Sequence, residues 1–205
     1  MSPRLGEHPW LADYAAPTAV PGGGSAAAVA GALGCALFAK VARIGGRKAE
    51  AAVAARLAGL ADRAESLQRA LVEQERADAG AYERMVATLR AARATSGDPG
   101  AARAAEAARV DATRVPLATA SLAAEGLALG AELAALELRR TASDQLVAAH
   151  LLRAGLEGGL ATVAFNLRGM PDGPDKAELA ARAEALAAAR GGADDLVDRL
   201  GRSFP

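Results

Sequence analysis

The stretch 21–43, PGGGSAAAVAGALGCALFAKVAR, constrains this chain more than any other. A proline and three glycines interrupt whatever precedes them and free the backbone to change direction. Ser25 stands where a helix N-cap belongs, its hydroxyl able to accept from a free N–H one turn in. The residues after it are mostly alanine, uncharged until Lys40, and Ala27, Ala30, Gly31, Gly34 and Cys35 keep the helix thin. A thin apolar helix lets a neighbouring backbone or a flat ligand approach closely. It is a central packing helix, one wall of a binding site, or both.

Composition points the same way. Of 205 residues, 52% are hydrophobic but only 3% aromatic, so alanine and leucine dominate and little favours strands. The length suits one compact domain spanning 1–205. The 24 basic and 24 acidic side chains balance, which argues against nucleic acid or an anionic membrane as a bulk partner. Cys35 is the only cysteine; it excludes an intrachain disulfide and suits a reducing cytoplasm. The N-terminus MSPRLGEHPW has no apolar core, so no signal peptide is expected. The apolar run 26–39 is shorter than the roughly 20 residues of a membrane span, and a soluble protein is expected.

Residues 1–7 read as loose, and Pro9 opens a short helix with Trp10, Leu11 and Tyr14 facing inward. The alanine-rich helix from Ser25 ends at Gly45 and Gly46. From 47 to 93 nothing interrupts a second, long helix with the apolar seam Val53, Leu57, Leu60, Ala64, Leu67 and Leu71. Carried forward, that rhythm meets Gln74 and Asp78 before Tyr82, Met85 and Leu89. Asp78 thus occupies an apolar register, where a carboxylate is costly unless paired or functional. It faces either an arginine across an interface or a reacting group.

Residues 95–100 form a turn, and a helix over 101–140 should kink or break near Pro116. Ser143 caps a further helix running to Arg168, with Asp144 in its first turn. The small-residue face through Ala148, Gly155 and Gly158 to Asn166 calls for close contact by another helix or a ligand. His150, Arg153 and Glu157 make a solvated or interface stripe. After a turn at 170–175 a helix reaches Arg190, stops at Gly191 and Gly192, and a short segment 193–200 ends the pattern. The architecture is an all-α, single-domain bundle of about five principal helices with a long second one.

Several chemistries find no support. The glycine run lacks the Gly-Lys-Ser/Thr of a P-loop and is preceded by no convincing strand. No metal site is expected, because His8 and His150 are the only histidines and neither has a second ligand at useful spacing. Nothing resembles a nucleophile elbow, and no aromatic-basic interleaving suggests single-stranded nucleic acid.

Taken in order, APTAVPGGGSAAAVAGALG, GGRK, ADAGAY, RVPLATA, SDQLVAA and FNLRG resemble the formimino-tetrahydrofolate cyclodeaminase and methenyl-tetrahydrofolate cyclohydrolase family, over about residues 10–170. The resemblance implies an all-helical homodimer paired along long helices, with folate clefts lined by both chains. It places Gly22, Gly23, Gly24 and Ser25 at a folate-binding hinge, and Arg47 and Lys48 near the glutamate tail of folate. It places Asp78, Ser143, Asp144 and Asn166 near the reacting carbon, with Tyr82 beside the substrate. Lys40, Arg43, Gly45, Gly80 and Thr162 depart from the family pattern.

The implied chemistry is conversion of 5-formimino-tetrahydrofolate to 5,10-methenyl-tetrahydrofolate with loss of ammonia. Hydrolysis of the methenyl bridge to 10-formyl-tetrahydrofolate is the alternative, and a re-purposed binder of another small molecule is a third. Either reaction moves protons about a tetrahedral carbon and needs a placed acid-base group rather than a metal. Asp78 is then the proton shuttle, Asp144 an orienting or cation-stabilising carboxylate, and Asn166 a hydrogen-bonding positioner. No cofactor beyond the tetrahydrofolate substrate is expected.

Overall fold

In a computed structural model, which describes residues 9–95 and 97–202, seven α-helices and a short 3-10 turn at Arg139–Thr141 pack with no strand among the described residues. The expected loose segment 1–7, His8 and Ser96 of the 95–100 turn lie outside the described residues. Four long helices make the bundle: α2 (Gly23–Gly46), α3 (Ala51–Ala94), α4 (Pro99–Ala134) and α5 (Ala142–Arg168). A short α1 (Pro9–Ala15) precedes them, and α6 (Pro174–Ala187) and α7 (Ala189–Gly201) close the bundle.

Helix α2 is the centre, touching α3, α4 and α5. Its small residues explain why. A Cβ on Gly34 would fall 2.7 Å from Leu152 and 2.9 Å from the Ala148 carbonyl oxygen. A Cβ on Gly155 would fall 3.1 Å from the Ala27 carbonyl oxygen, and one on Gly158 would fall 2.8 Å from Ala27 itself. The small face of α5 is therefore filled by a helix, and α2 and α5 run antiparallel at near backbone contact. Around this pair Phe38, Leu57, Leu71, Leu129, Leu133, Leu152 and Leu156 are fully buried.

Helix α2, which carries the alanine-rich run, and α4 are each long and apolar enough to cross a membrane by length and composition only, with mean hydropathies of 1.7 and 1.2. Their apolar windows are instead 61% and 56% buried against neighbouring helices. Cys35 lies in this core, where burial pushes its thiol up to about 12.

Local expectations fail in instructive places. Asp98 accepts a 2.8 Å bond from the Gly100 amide, so α4 starts on Pro99 rather than at 101. Pro116 is buried in α4 without breaking it, whereas the chain leaves the helix at Ala134 and turns at Glu137, φ 50°. Helix α7 runs straight through Gly191 and Gly192, because Ala193, Leu196 and Leu200 are buried. Arg190 grips Glu157 with two 2.8 Å bonds and Arg153 meets Asp194 at 2.9 Å. The polar stripe of α5 is thus its clasp to α7. Arg190 holds the Glu157 carboxyl below the usual range, against the opposing effect of burial. At the other end Trp10 and Leu11 are exposed rather than inward, since α1 spans only 7 residues and touches the bundle through half-buried Tyr14.

Candidate active site

The N-terminal end of α2 gathers several of the expected residues. The helix begins at Gly23, with extended Gly22 as its cap and no side-chain cap bond. Ser25 therefore does not cap: it sits one turn inside, fully buried, and its hydroxyl donates to Asp78 Oδ2 at 2.8 Å. Glycine 24 makes room for this. A Cβ there would fall 2.5–2.9 Å from three atoms of the Asp78 carboxyl group. Asp78 thus lies against a turn whose unpaired N–H groups and dipole favour negative charge. It is half-buried, and its partner is a hydroxyl rather than an arginine.

Two more groups of α3 and one of α1 complete this end. The Tyr14 hydroxyl donates to Glu75 Oε1 at 3.4 Å. Burial first, then Glu75 and Asp78, pushes the Tyr14 phenol up to about 12, so it stays neutral beside two carboxylates. Tyr82 is 40% exposed, because Ala81 takes the buried position in its turn and the seam steps by three rather than four after Asp78. The position of Gly23 faces open space, with nothing within 4 Å of a Cβ there.

The C-terminal end of α2 is built differently. Lys40 Nζ meets Asp144 Oδ2 at 2.8 Å. Ser143 is exposed and does not cap; Thr141 takes that position without a side-chain cap bond. Nearby, Arg47 and Lys48 line a cavity of about 520 Å³ with Arg139 and Arg140, over an apolar floor that includes Ile44 and Leu138. Leu138 closes here because position 45 is glycine; a Cβ would fall 2.9 Å from its methyl carbon. Arg139 and Arg140 escaped the sequence reading, although two adjacent arginines just before a helix start were a visible signal.

The two ends do not meet within one chain. Lys40 lies 15 residues beyond Ser25 on the same helix. At about 1.5 Å per residue that is roughly 22 Å. The expectation that Asp78 and Asp144 flank one carbon therefore fails for a single protomer. Asn166 falls at the Asp78 end, two turns beyond the contact of Gly158 with Ala27, and its Nδ2 donates to the Ala112 carbonyl at 3.1 Å. Thr162 spends its hydroxyl on the Gly158 carbonyl of its own helix, at 2.9 Å.

Comparison with known proteins bears on the fold and the family. No match was found among curated proteins. Among solved structures, formiminotetrahydrofolate cyclodeaminase from Thermotoga maritima is similar, with a TM-score of 0.78 and 23% identity over 99% of this chain and 96% of that one. The all-α fold is therefore shared along essentially the whole length. The family model described as formiminotransferase-cyclodeaminase matches residues 8–185, and the chain belongs to that family.

Proposed function

We propose that this chain is a folate one-carbon enzyme, most specifically one that closes 5-formimino-tetrahydrofolate to 5,10-methenyl-tetrahydrofolate with release of ammonia. The observation that carries the reading is the Asp78 carboxylate, seated on the first turn of α2 and held there by Ser25. Family membership, and the substrate for which the similar Thermotoga maritima enzyme is named, supply its chemical context.

In this reaction N10 attacks the carbon of the protonated formimino group, N5–CH=NH2+, and the C=N electrons move onto the outer nitrogen, leaving it as a neutral NH2. The tetrahedral intermediate carries its surplus proton on N10. Asp78 takes that proton and returns it to the outer nitrogen, the C–N bond breaks, and ammonia leaves. The carboxylate ends as it began. Ser25 occupies Oδ2, so Oδ1, which lies against Gly24, is the oxygen left to take the proton. Asn166 positions the bridge region, and the cations at 47, 48, 139 and 140 match the carboxylates of the glutamate tail.

A homodimer reconciles this with the separated ends. Leu33, Val147 and Phe165 are 49%, 50% and 73% exposed, an apolar face on α2 and α5 that a second copy would cover. Packing along the long helices would bring Asp144 and the cationic cavity of one protomer to the Asp78 end of its partner.

The test is a panel of both folates. Ammonia release with appearance of methenyl absorbance supports the deaminase. Loss of methenyl absorbance above the uncatalysed rate replaces it with the cyclohydrolase. Neither activity, together with no folate binding by calorimetry, overturns the reading. Asp78→Asn should lower turnover at least about 100-fold, the range for loss of a placed acid-base group.

A further inference from the structure

Pro116 and Asn166 form a pair that neither helix explains alone. Proline has no amide hydrogen, so the carbonyl four residues earlier, Ala112, loses its helical donor. Yet Ala112 is buried in an unbroken α4, where an unmet carbonyl is expensive. The missing donor comes from α5: Asn166 Nδ2 lies 3.1 Å from the Ala112 oxygen.

The packing delivers it. A Cβ on Gly159 would fall 2.8 Å from the Pro116 carbonyl oxygen and 3.0 Å from the Ala120 nitrogen, so α5 crosses the proline turn at backbone distance. Val163, fully buried, and Asn166 continue the same face, four and seven residues on.

The consequence lies in the amide. A carboxamide has a donor end and an acceptor end, and rotating it by half a turn exchanges them. Turned over, Asn166 would set Oδ1 against the Ala112 oxygen, acceptor against acceptor. We infer that Pro116 is a positioning residue: by freeing the Ala112 carbonyl it holds the Asn166 amide in one orientation and presents Oδ1 to the substrate as an acceptor only. The group it receives is an N–H of the folate at or beside the one-carbon bridge. This rests on the proposed function above, which places Asn166 at the substrate.

Two readouts test it. The first is a thermal denaturation cycle on the full chain, independent of activity. Asn166→Ala alone should lower Tm by about 4 °C, since it strands a buried carbonyl in a chain of this size. In a Pro116→Ala background the alanine placed at 116 donates to Ala112 itself, and the same change should cost less than about 1 °C. Additive losses would overturn the pairing. Asn166→Asp keeps the shape and loses the donor; its Tm deficit should shrink at acid pH, where a protonated carboxyl can donate to Ala112. A pH-independent deficit would overturn the pairing even if Pro116→Ala failed to fold.

The second readout is turnover of 5-formimino-tetrahydrofolate. Pro116→Ala frees the amide to turn, and kcat should fall about tenfold with KM changed less than twofold, whatever its Tm. Wild-type kcat in that variant, with the Tm coupling intact, would make the pair purely structural and overturn the positioning role. An inactive wild-type protein would overturn the proposed function and this role with it, while the Tm cycle would still decide the pairing.

Discussion

The two ends of α2 are chemical opposites. At Gly23–Ser25 the helix offers free N–H groups, and α3 answers with Asp78 and Glu75 while α1 adds a neutral Tyr14. At Lys40–Gly46 it offers carbonyls, and the surroundings answer with Lys40, Arg47, Lys48, Arg139 and Arg140. Each arrangement follows the sign of the helix dipole. A substrate with a basic reacting centre and an acidic tail matches both ends, but one copy of the chain holds them too far apart to serve a single reacting carbon.

The sharpest way to break this contrast is to mix disabled chains. Asp78→Asn and Asp144→Asn should each be nearly inactive alone. If the chain pairs as proposed, remixing after partial unfolding should recover about a quarter of wild-type turnover, because half of a random mixture would be heterodimer and each heterodimer would hold one intact site. No recovery would mean that the two ends do not serve a common site across subunits. Next in size is Gly24→Ala. Its methyl group would land 2.5 Å from Asp78 Oδ1, so the carboxylate must leave the α2 turn. Turnover should fall by about tenfold or more, with Tm lowered by only a few degrees. Unchanged turnover would show that Asp78 works equally well elsewhere.

Smaller effects probe each end separately. Arg47→Ala combined with Lys48→Ala should raise KM for the folate about tenfold at low salt and leave kcat nearly unaltered. The penalty should fade at high ionic strength, as exposed charges are screened. A loss confined to kcat would place these cations at the chemistry instead. The smallest effect is in the phenol of Tyr14. Removing a negative neighbour lowers its pKa from about 12, and Glu75→Gln should lower it more than Asp78→Asn, as Glu75 acts more strongly and directly. Phenolate absorbance against pH measures both. Between the ordinary 10.0 and about 12 the folded chain keeps a proton that the unfolded chain has lost, so stability should fall as pH rises through that window.

The helical architecture was legible because alanine content and seam periodicity report on single helices. Asp78 was legible too, as a carboxylate in an apolar register. The partner it finds was not. Ser25 reads as a cap, since local rules assign a serine after glycines to the helix start, but Gly22 takes the cap and releases the hydroxyl inward. Pro116 reads as a kink for the same reason: the donor that rescues Ala112 comes from a residue 54 positions away. Gly191 and Gly192 read as a stop because their cost, about 1 kcal/mol each, is local, whereas the buried Ala193, Leu196 and Leu200 that outweigh it are tertiary. Asp144 could not be placed at the Lys40 end from sequence, because spacing along the chain says nothing about which end of α2 a helix start adjoins.

The glycine contacts between α2 and α5 carry one more consequence. With Gly34 against Leu152 and the Ala148 carbonyl, and Gly158 against Ala27, the two rods meet at near backbone distance at both points, which resists one slipping along the other. The pair acts as a fixed spacer, so the reach between carboxylate and cations cannot drift by small adjustments. A relative adapted to a longer or shorter ligand would have to gain or lose whole helical turns in both rods at once.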